Sequence, residues 1–305
     1  MKLLSFRPSR ARVDHFGVLL ANGQALDLTA AKSGRGLPNS LIECIGGGAD
    51  ALARVRDVLA HAEHRLTAGN DEHIVSLTAV TARPPLIPGK IMAIGKNYAD
   101  HAAEVASAAY SRPAGFIKHV DTLIANGDVI RKPAWTEKLD YETELAVVIS
   151  DACHDVPPEE VYAHIFGYTI MNDVSARDVQ FAERKEGNIM IGKNFPTAAP
   201  LGPWVVTKDE IPDPHNLRLI TRVNGEVRQN ANTGTQIFHI PAQVAWYSHA
   251  GLYPGDIIST GTPAGVAAGH HGEGSWYLKN GAVIESEIEK IGVLRNTVST
   301  RKRRT

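Results

Sequence analysis

The chain has 305 residues, 43% of them hydrophobic, with a formal net charge of -1. That is ample material for a sizeable core and too weak a field to gather nucleic acid or an anionic membrane. Cys44 and Cys153 lie far apart and match no disulfide, thiolate zinc or redox spacing, and no run of about 18 apolar residues occurs. A cytoplasmic protein with no membrane span is expected.

In chain order, strand-like pieces around Asn22-Gly23 predict a hairpin with a type I′ turn. Residues 49–66 carry apolar side chains at three- and four-residue spacing and predict a helix. The Pro-rich segment 81–89 is the expected boundary between a small N-terminal α+β domain (1–85) and a main domain (86–298). The basic run Arg301-Lys-Arg-Arg304 falls in an expected solvated tail, 299–305. The main domain reads as short strands at 91–94, 145–149, 167–171, 204–207, 217–223, 256–260 and 283–288. Helices are expected at 157–165, with Pro and acids in the first turn, and at 175–185, with Ser175 as cap. Without regular βαβ alternation, this predicts an α+β, mostly β fold whose mixed sheet closes into a roll or sandwich.

The stretch 139–150, LDYETELAVVIS, has no breaker and reads as one strand. Alternation then puts Asp140, Glu142 and Glu144 on a face that continues inward as Ala146 and Val148. Like charges so placed repel, and burial raises their pKa values unless a positive group neutralises them. A divalent cation does so most directly; the bland alternative is the polar face of an edge strand. Asp173 ends a second strand, 167–171, where ligand groups are commonly presented, although it is equally placed to cap the helix that follows. If Asp173 joins Glu142 and Glu144, three carboxylates without Cys or His describe a hard-cation site, for Mg²⁺ or Mn²⁺ ahead of Ca²⁺ and well ahead of Zn²⁺.

Several blocks carry a resemblance. They are Gly95-Lys-Asn-Tyr-Ala-Asp-His-Ala-Ala-Glu104, Asp140-Tyr-Glu-Thr-Glu144, Asn172-Asp-Val-Ser-Ala-Arg-Asp-Val-Gln180, Gly192-Lys193, Pro200-Leu-Gly-Pro-Trp204, Val223-Asn-Gly-Glu-Val-Arg228 and Thr260-Gly-Thr-Pro-Ala-Gly265. In this order the chain resembles the fumarylacetoacetate hydrolase family over about 90–298. The resemblance implies a mixed β-sandwich roll, a homodimer, and a catalytic divalent ion on Glu142, Glu144 and Asp173. Mg²⁺ is the expected ion, with Mn²⁺ or Ca²⁺ as alternatives. Lys193 is implied as a catalytic cation, and Arg177 and Gln180 as substrate-binding groups; Arg177 has the alternative of pairing only with Asp173 or Asp178.

His101 and Glu104 are three apart in an Ala-rich segment that favours helix, so both project from one face. Alone, such a pair reads more often as an exposed helix pair. Similarity to the acylpyruvate-cleaving branch of the family implies a water-activating dyad. The following segment, 107–115, mixes small residues with Tyr, Arg and Pro and reads as a closing loop or a plain surface connection. Thr262 and the backbone N–H groups of its Gly-rich turn either hold a substrate carboxylate or simply end a strand, and the family resemblance implies the carboxylate role. Lys118-His-Val-Asp121 is bulkier and more polar than in many relatives, and Gly269-His-His-Gly-Glu-Gly274 looks like an insertion. His270 and His271 are expected in solvent rather than on zinc.

The expected function is divalent-metal-dependent hydrolysis of a C–C bond in an acylpyruvate or related β-diketo acid. The alternatives are decarboxylation, isomerisation or tautomerisation of a keto or hydroxy-dienedioic acid such as oxaloacetate or 2-hydroxyhepta-2,4-diene-1,7-dioate. A non-catalytic carboxylate-binding protein is the alternative of another class. The expected partner is a small keto acid, with no nucleic acid or membrane.

Overall fold

The computed structural model describes residues 1–32, 36–67, 72–105, 110–270 and 276–300. The positions 107–109, 271–274 and 301–304, which carry part of the expected closing loop, His271 and the basic tail, lie outside the described residues. Among the described residues no helix is long and apolar enough to cross a membrane.

The elements that matter here are β1 (Lys2–Pro8), β2 (His15–Leu19), β3 (Ala25–Asp27), α1 (Gly48–Thr67), β4 (Ile91–Ile94), α2 (Ala99–Glu104) and β5 (Gly115–Lys118). They continue with β6 (Thr143–Ile149), β7 (Ile165–Asn172), α3 (Arg177–Lys185), β8 (Ala199–Thr207), β9 (Arg218–Val223), β10 (Glu226–Asn232), β11 (Ile257–Ser259), β12 (Val283–Ile288) and β13 (Gly292–Ser299). The large mixed sheet runs β3-β2-β1-β8-β7-β6-β11-β4-β5, and a smaller one runs β10-β9-β12-β13.

The two sheets pack face to face, and the alternation of β6 shows how. Leu145, Val147 and Ile149 point into a core shared with Leu219, Ile288 and Leu294 of the smaller sheet. Ala146 and Val148 point the other way, into a core with Leu3, Phe16 and the apolar stripe Ala51, Val55, Val58 and Ala62 of α1. Burial on both faces is why this strand reads as a continuous apolar run. The fold is the expected mostly β sandwich roll.

Four local expectations change. The stretch 139–150 is broken at Tyr141-Glu142: Leu139 and Asp140 pair with Ala176 and Ser175 in a separate ladder. Asp140 is pulled there by the N–H groups of Ala267 and Ala268, at 2.8 and 3.0 Å, and by Arg177. Because Ser175 lies in that ladder, it does not cap α3; its hydroxyl donates to the Asp173 carbonyl at 2.9 Å, and the helix starts at Arg177. The segment Pro158–His164 is a 3₁₀ helix. In the first hairpin only Gly23 takes positive φ, +81°, so the turn is not type I′. Gly23 N–H closes on Leu20 O at 3.0 Å, a type I turn followed by a glycine bulge.

Candidate active site

Sheet register assembles the acidic centre. In the antiparallel pair β6–β7, Thr143 lies opposite Asn172 and Glu144 opposite Met171. Asp173, one residue past β7, is thereby set beside the entry to β6, and its N–H donates to Glu142 O at 2.9 Å. One carboxylate oxygen from each of Glu142, Glu144 and Asp173 lies within 4.8 Å of the others, and all three residues are buried. Among the described residues no other cluster of His, Cys, Asp and Glu could hold a metal ion.

Charge is unevenly distributed over these acids. Glu144 accepts from Ser259 Oγ at 2.5 Å and Gly261 N–H at 3.0 Å. Burial, then the charges of Asp173 and Glu142, push its carboxyl well above the ordinary range. Burial also opposes the charge on Glu142, but the cations Arg177 and Lys193 outweigh it and hold that carboxyl far below the usual range. Lys193 Nζ donates to Glu142 Oε2 and, at 2.7 Å, to Asp173 Oδ2. Burial disfavours its ammonium, and the pull of Asp173 and Glu142 still raises its pKa. Arg177 pairs with neither Asp173 nor Asp178: its guanidinium spans Asp140 at 2.8 Å, Gln180 Oε1 at 3.0 Å and Glu142 at 2.6 Å.

Sequence reasoning missed Lys118. The residue is 0% exposed, and its Nζ donates to Lys193 O at 2.6 Å and stands 2.6 Å from Asp173 Oδ1. Burial and the Lys193 charge lower its pKa, with Asp173 acting against them. The contact with Asp173 is electrostatic and poorly aligned, leaving Oδ1 a buried oxygen without a hydrogen-bond donor. The signal available was alternation on β5: Lys118 shares a face with Phe116, which lines the site.

The dyad arrives on a separate support. Asn97, just before α2, is clamped by its side-chain amide to Thr260 O at 2.7 Å and Phe238 O at 3.0 Å. His101 Nδ1 then faces Glu104 Oε2 at 3.3 Å, while Glu104 Oε1 accepts from Gly265 N–H at 2.9 Å. Gly269 packs so tightly on this carboxylate that a Cβ there would fall 2.0 Å from Glu104 Cγ. The glycine run after Thr262 is therefore the wall that holds the dyad acid.

One cavity of about 150 Å³ gathers eight of the nine expected residues: His101, Glu142, Glu144, Asp173, Arg177, Gln180, Lys193 and Thr262. Glu104, the ninth, stands behind His101. The Thr262 hydroxyl donates to Thr143 O at 2.9 Å and accepts from Gln229 at 2.8 Å, so it also ties the turn to β6. His270 is not free in solvent: it stacks on Trp276 with ring centroids 3.3 Å apart, and Arg228 lies over the same indole at 3.8 Å. The apolar ring faces win over hydration there.

The family model for the C-terminal domain of fumarylacetoacetate hydrolase matches residues 90–299. The chain belongs to the fumarylacetoacetate hydrolase family. It is 37% identical to the mitochondrial oxaloacetate tautomerase FAHD2A of Bos taurus, over 98% of this chain and 91% of that protein. It is 38% identical to the oxaloacetate tautomerase YisK of Bacillus subtilis, over 92% and 95% respectively. The solved structure of maleylpyruvate hydrolase from Sphingobium sp. SYK-6 with manganese(II) and pyruvate superposes with a TM-score of 0.74 at 28% identity, covering 98% of this chain and 99% of that one.

The acidic centre fits a divalent cation on its own chemistry. Its donors are all oxygen, Asp173 Oδ1 lacks a hydrogen bond, and the crowding that raises the Glu144 pKa is relieved by added positive charge.

Proposed function

We propose that the protein is a keto–enol tautomerase of a β-keto acid of the oxaloacetate type, using a divalent cation, Mg²⁺ first, held by Glu142, Glu144 and Asp173. The observation that carries this reading is the meeting of three buried carboxylates, Lys193 and His101 in one small cavity, with Glu104 behind the histidine. The names of relatives matched along nearly the whole chain support it.

When bound, the cation would polarise the 2-keto group and ease formation of the enolate. Glu104, fixed by Gly265, holds His101 through Nδ1 and so leaves Nε2 facing the cavity as the base. His101 takes a proton from the carbon between the two carbonyl groups, the enolate oxygen takes a proton from water to give the enol, and the reverse direction retraces both transfers. Lys193 sets positive charge beside the oxygen on which negative charge builds. Arg177 keeps Glu142 ionised and orients Gln180 toward the substrate.

A second reading, hydrolysis of an acylpyruvate, uses the same dyad on a water molecule. The likeness to maleylpyruvate hydrolase favours it. One preparation with Mg²⁺ tests both, by the loss of enol absorbance from oxaloacetate and by pyruvate release from acylpyruvates. Accelerated enol loss that falls about a hundredfold or more in His101→Asn is expected. No acceleration by the unaltered protein overturns the tautomerase reading, and pyruvate release in its place establishes the hydrolase.

A further inference from the structure

Glu183 stands near the end of α3, in the gap between the family-like blocks 172–180 and 192–193 and outside the lining of the cavity. Its carboxylate collects three consecutive backbone N–H groups: Oε1 accepts from Ile191 at 2.7 Å, and Oε2 from Met190 at 3.1 Å and Gly192 at 3.0 Å. Successive N–H groups aimed at one point form a nest for an anion, and here the anion is a side chain of the preceding helix. Burial opposes the charge on Glu183, and the N–H groups of Gly192, Ile191 and Met190 outweigh it, so the carboxyl is held below its usual range.

The next residue along the chain is Lys193, and the turn before it is tied down on several sides. Gly192 O accepts from Ala176 N–H at 2.8 Å, and Gly192 lies so close to α3 that a Cβ there would fall 2.6 Å from Gln180 N. Lys193 O accepts from Lys118 Nζ at 2.6 Å. Asn194 bridges the turn to β5, its amide donating to Met190 O and Ile117 O, each at 3.1 Å. The Lys193 side chain can be aimed only as accurately as residues 190–192 are held, and Glu183 ties all three to the helix. The same helix carries Arg177, which meets Glu142 Oε1 while Lys193 meets Glu142 Oε2. One helix thus sets both cations on that carboxylate, Arg177 directly and Lys193 by way of Glu183.

We infer that Glu183 is a positioning residue for Lys193, holding the 190–192 turn so that the ammonium stands where enolate charge develops. A group misplaced by about 1 Å loses much of its effect on a transition state. A carboxylate is required, because a glutamine offers one acceptor oxygen and turns its own N–H groups toward the donors that the second oxygen had satisfied. The inference rests on the role of Lys193 proposed above.

The test is a double-mutant cycle in the full chain with Mg²⁺. Glu183→Gln is expected to lower kcat for oxaloacetate about tenfold. KM should move less than about threefold, because the lost contact belongs to the transition state. In the Lys193→Met background the same substitution should change the residual kcat less than about twofold, since nothing remains to be aimed. An unchanged kcat in Glu183→Gln, or an equal loss with and without Lys193, overturns the assignment. Should Lys193→Met not fold, the crystal structure of Glu183→Gln decides: Lys193 Nζ displaced from Glu142 and Asp173 supports the inference, and Nζ in place overturns it. Should the unaltered protein fail to tautomerise oxaloacetate, the function proposed above falls, and calorimetry with oxalate, a stable mimic of an enolate, decides the inference separately. Weaker oxalate binding in Glu183→Gln that disappears in the Lys193→Met background supports it; equal binding, or a loss that persists in that background, overturns it.

Discussion

The acidic centre and the helix that carries the dyad differ in how they are held. Glu144 is inside a strand paired on both sides, and Asp173 follows directly from another, so backbone ladders set their positions. Around them Arg177, Lys193 and Lys118 form a closed set of buried ion pairs. The helix with His101 and Glu104 is six residues long, has no side-chain cap, and leans on a clamp at Asn97 and a single N–H from Gly265. Short helices gain little from their own hydrogen bonds, so their positions depend on such contacts. The acidic half is thus rigid by construction, whereas the half that carries His101 and Glu104 is adjustable through a few glycines.

Removing an acid should break the first half most severely. Glu144→Gln is expected to weaken Mg²⁺ binding about a hundredfold in calorimetry, because the amide keeps the shape and loses the charge. Affinity equal to that of the unaltered protein would mean that these acids serve another purpose. Disturbing the second half should separate the two. Gly269→Ala must push Glu104 aside, so turnover is expected to fall about tenfold while Mg²⁺ affinity holds. A parallel fall in both would show the halves to be one mechanical unit.

The smallest effect concerns the clamp. The segment that bonds Asn97 is followed by His239, which stacks on His215 at a centroid distance of 4.1 Å. Burial, then the charge of His239, lower the His215 pKa to about 4, with Asp213 opposing. Its other neighbour is the Tyr162 hydroxyl, 3.1 Å from Nε2. The unfolded chain binds a proton at this histidine near 6.5, and the folded chain only near 4. Stability therefore falls as pH drops through that window and is unaffected above it. His215→Gln should flatten the melting temperature against pH between these values, and an unchanged slope would remove His215 as the cause.

How much could be read beforehand follows the range of the interactions. The two-residue alternation of β6, the acid after β7, the His-x-x-Glu pair and the apolar stripe of α1 are all visible within a few residues, because backbone periodicity alone decides which side chains share a face. Family-like blocks in order supplied the grouping of Lys193, Arg177, Gln180 and Thr262. Local pattern failed at 139–150, where β-propensity reads one strand and distant N–H groups from Ala267 and Ala268 break it in two.

By itself, then, the sequence determined the mostly β class, the Glu142-x-Glu144 pair and the spacing of His101 and Glu104, since each is a matter of residue type and short spacing, while the joining of Asp173 to the glutamates and the dyad reading came from the family-like blocks. Tertiary structure alone decided how those charges are balanced. Lys118 meets Lys193 and Asp173, Gly265 and Gly269 close on Glu104, and Arg184 turns toward Tyr110, across separations of 55 to 165 residues that no local period encodes. Buried charge must find its partner wherever the folded chain brings one, and only the packed sheets bring these together.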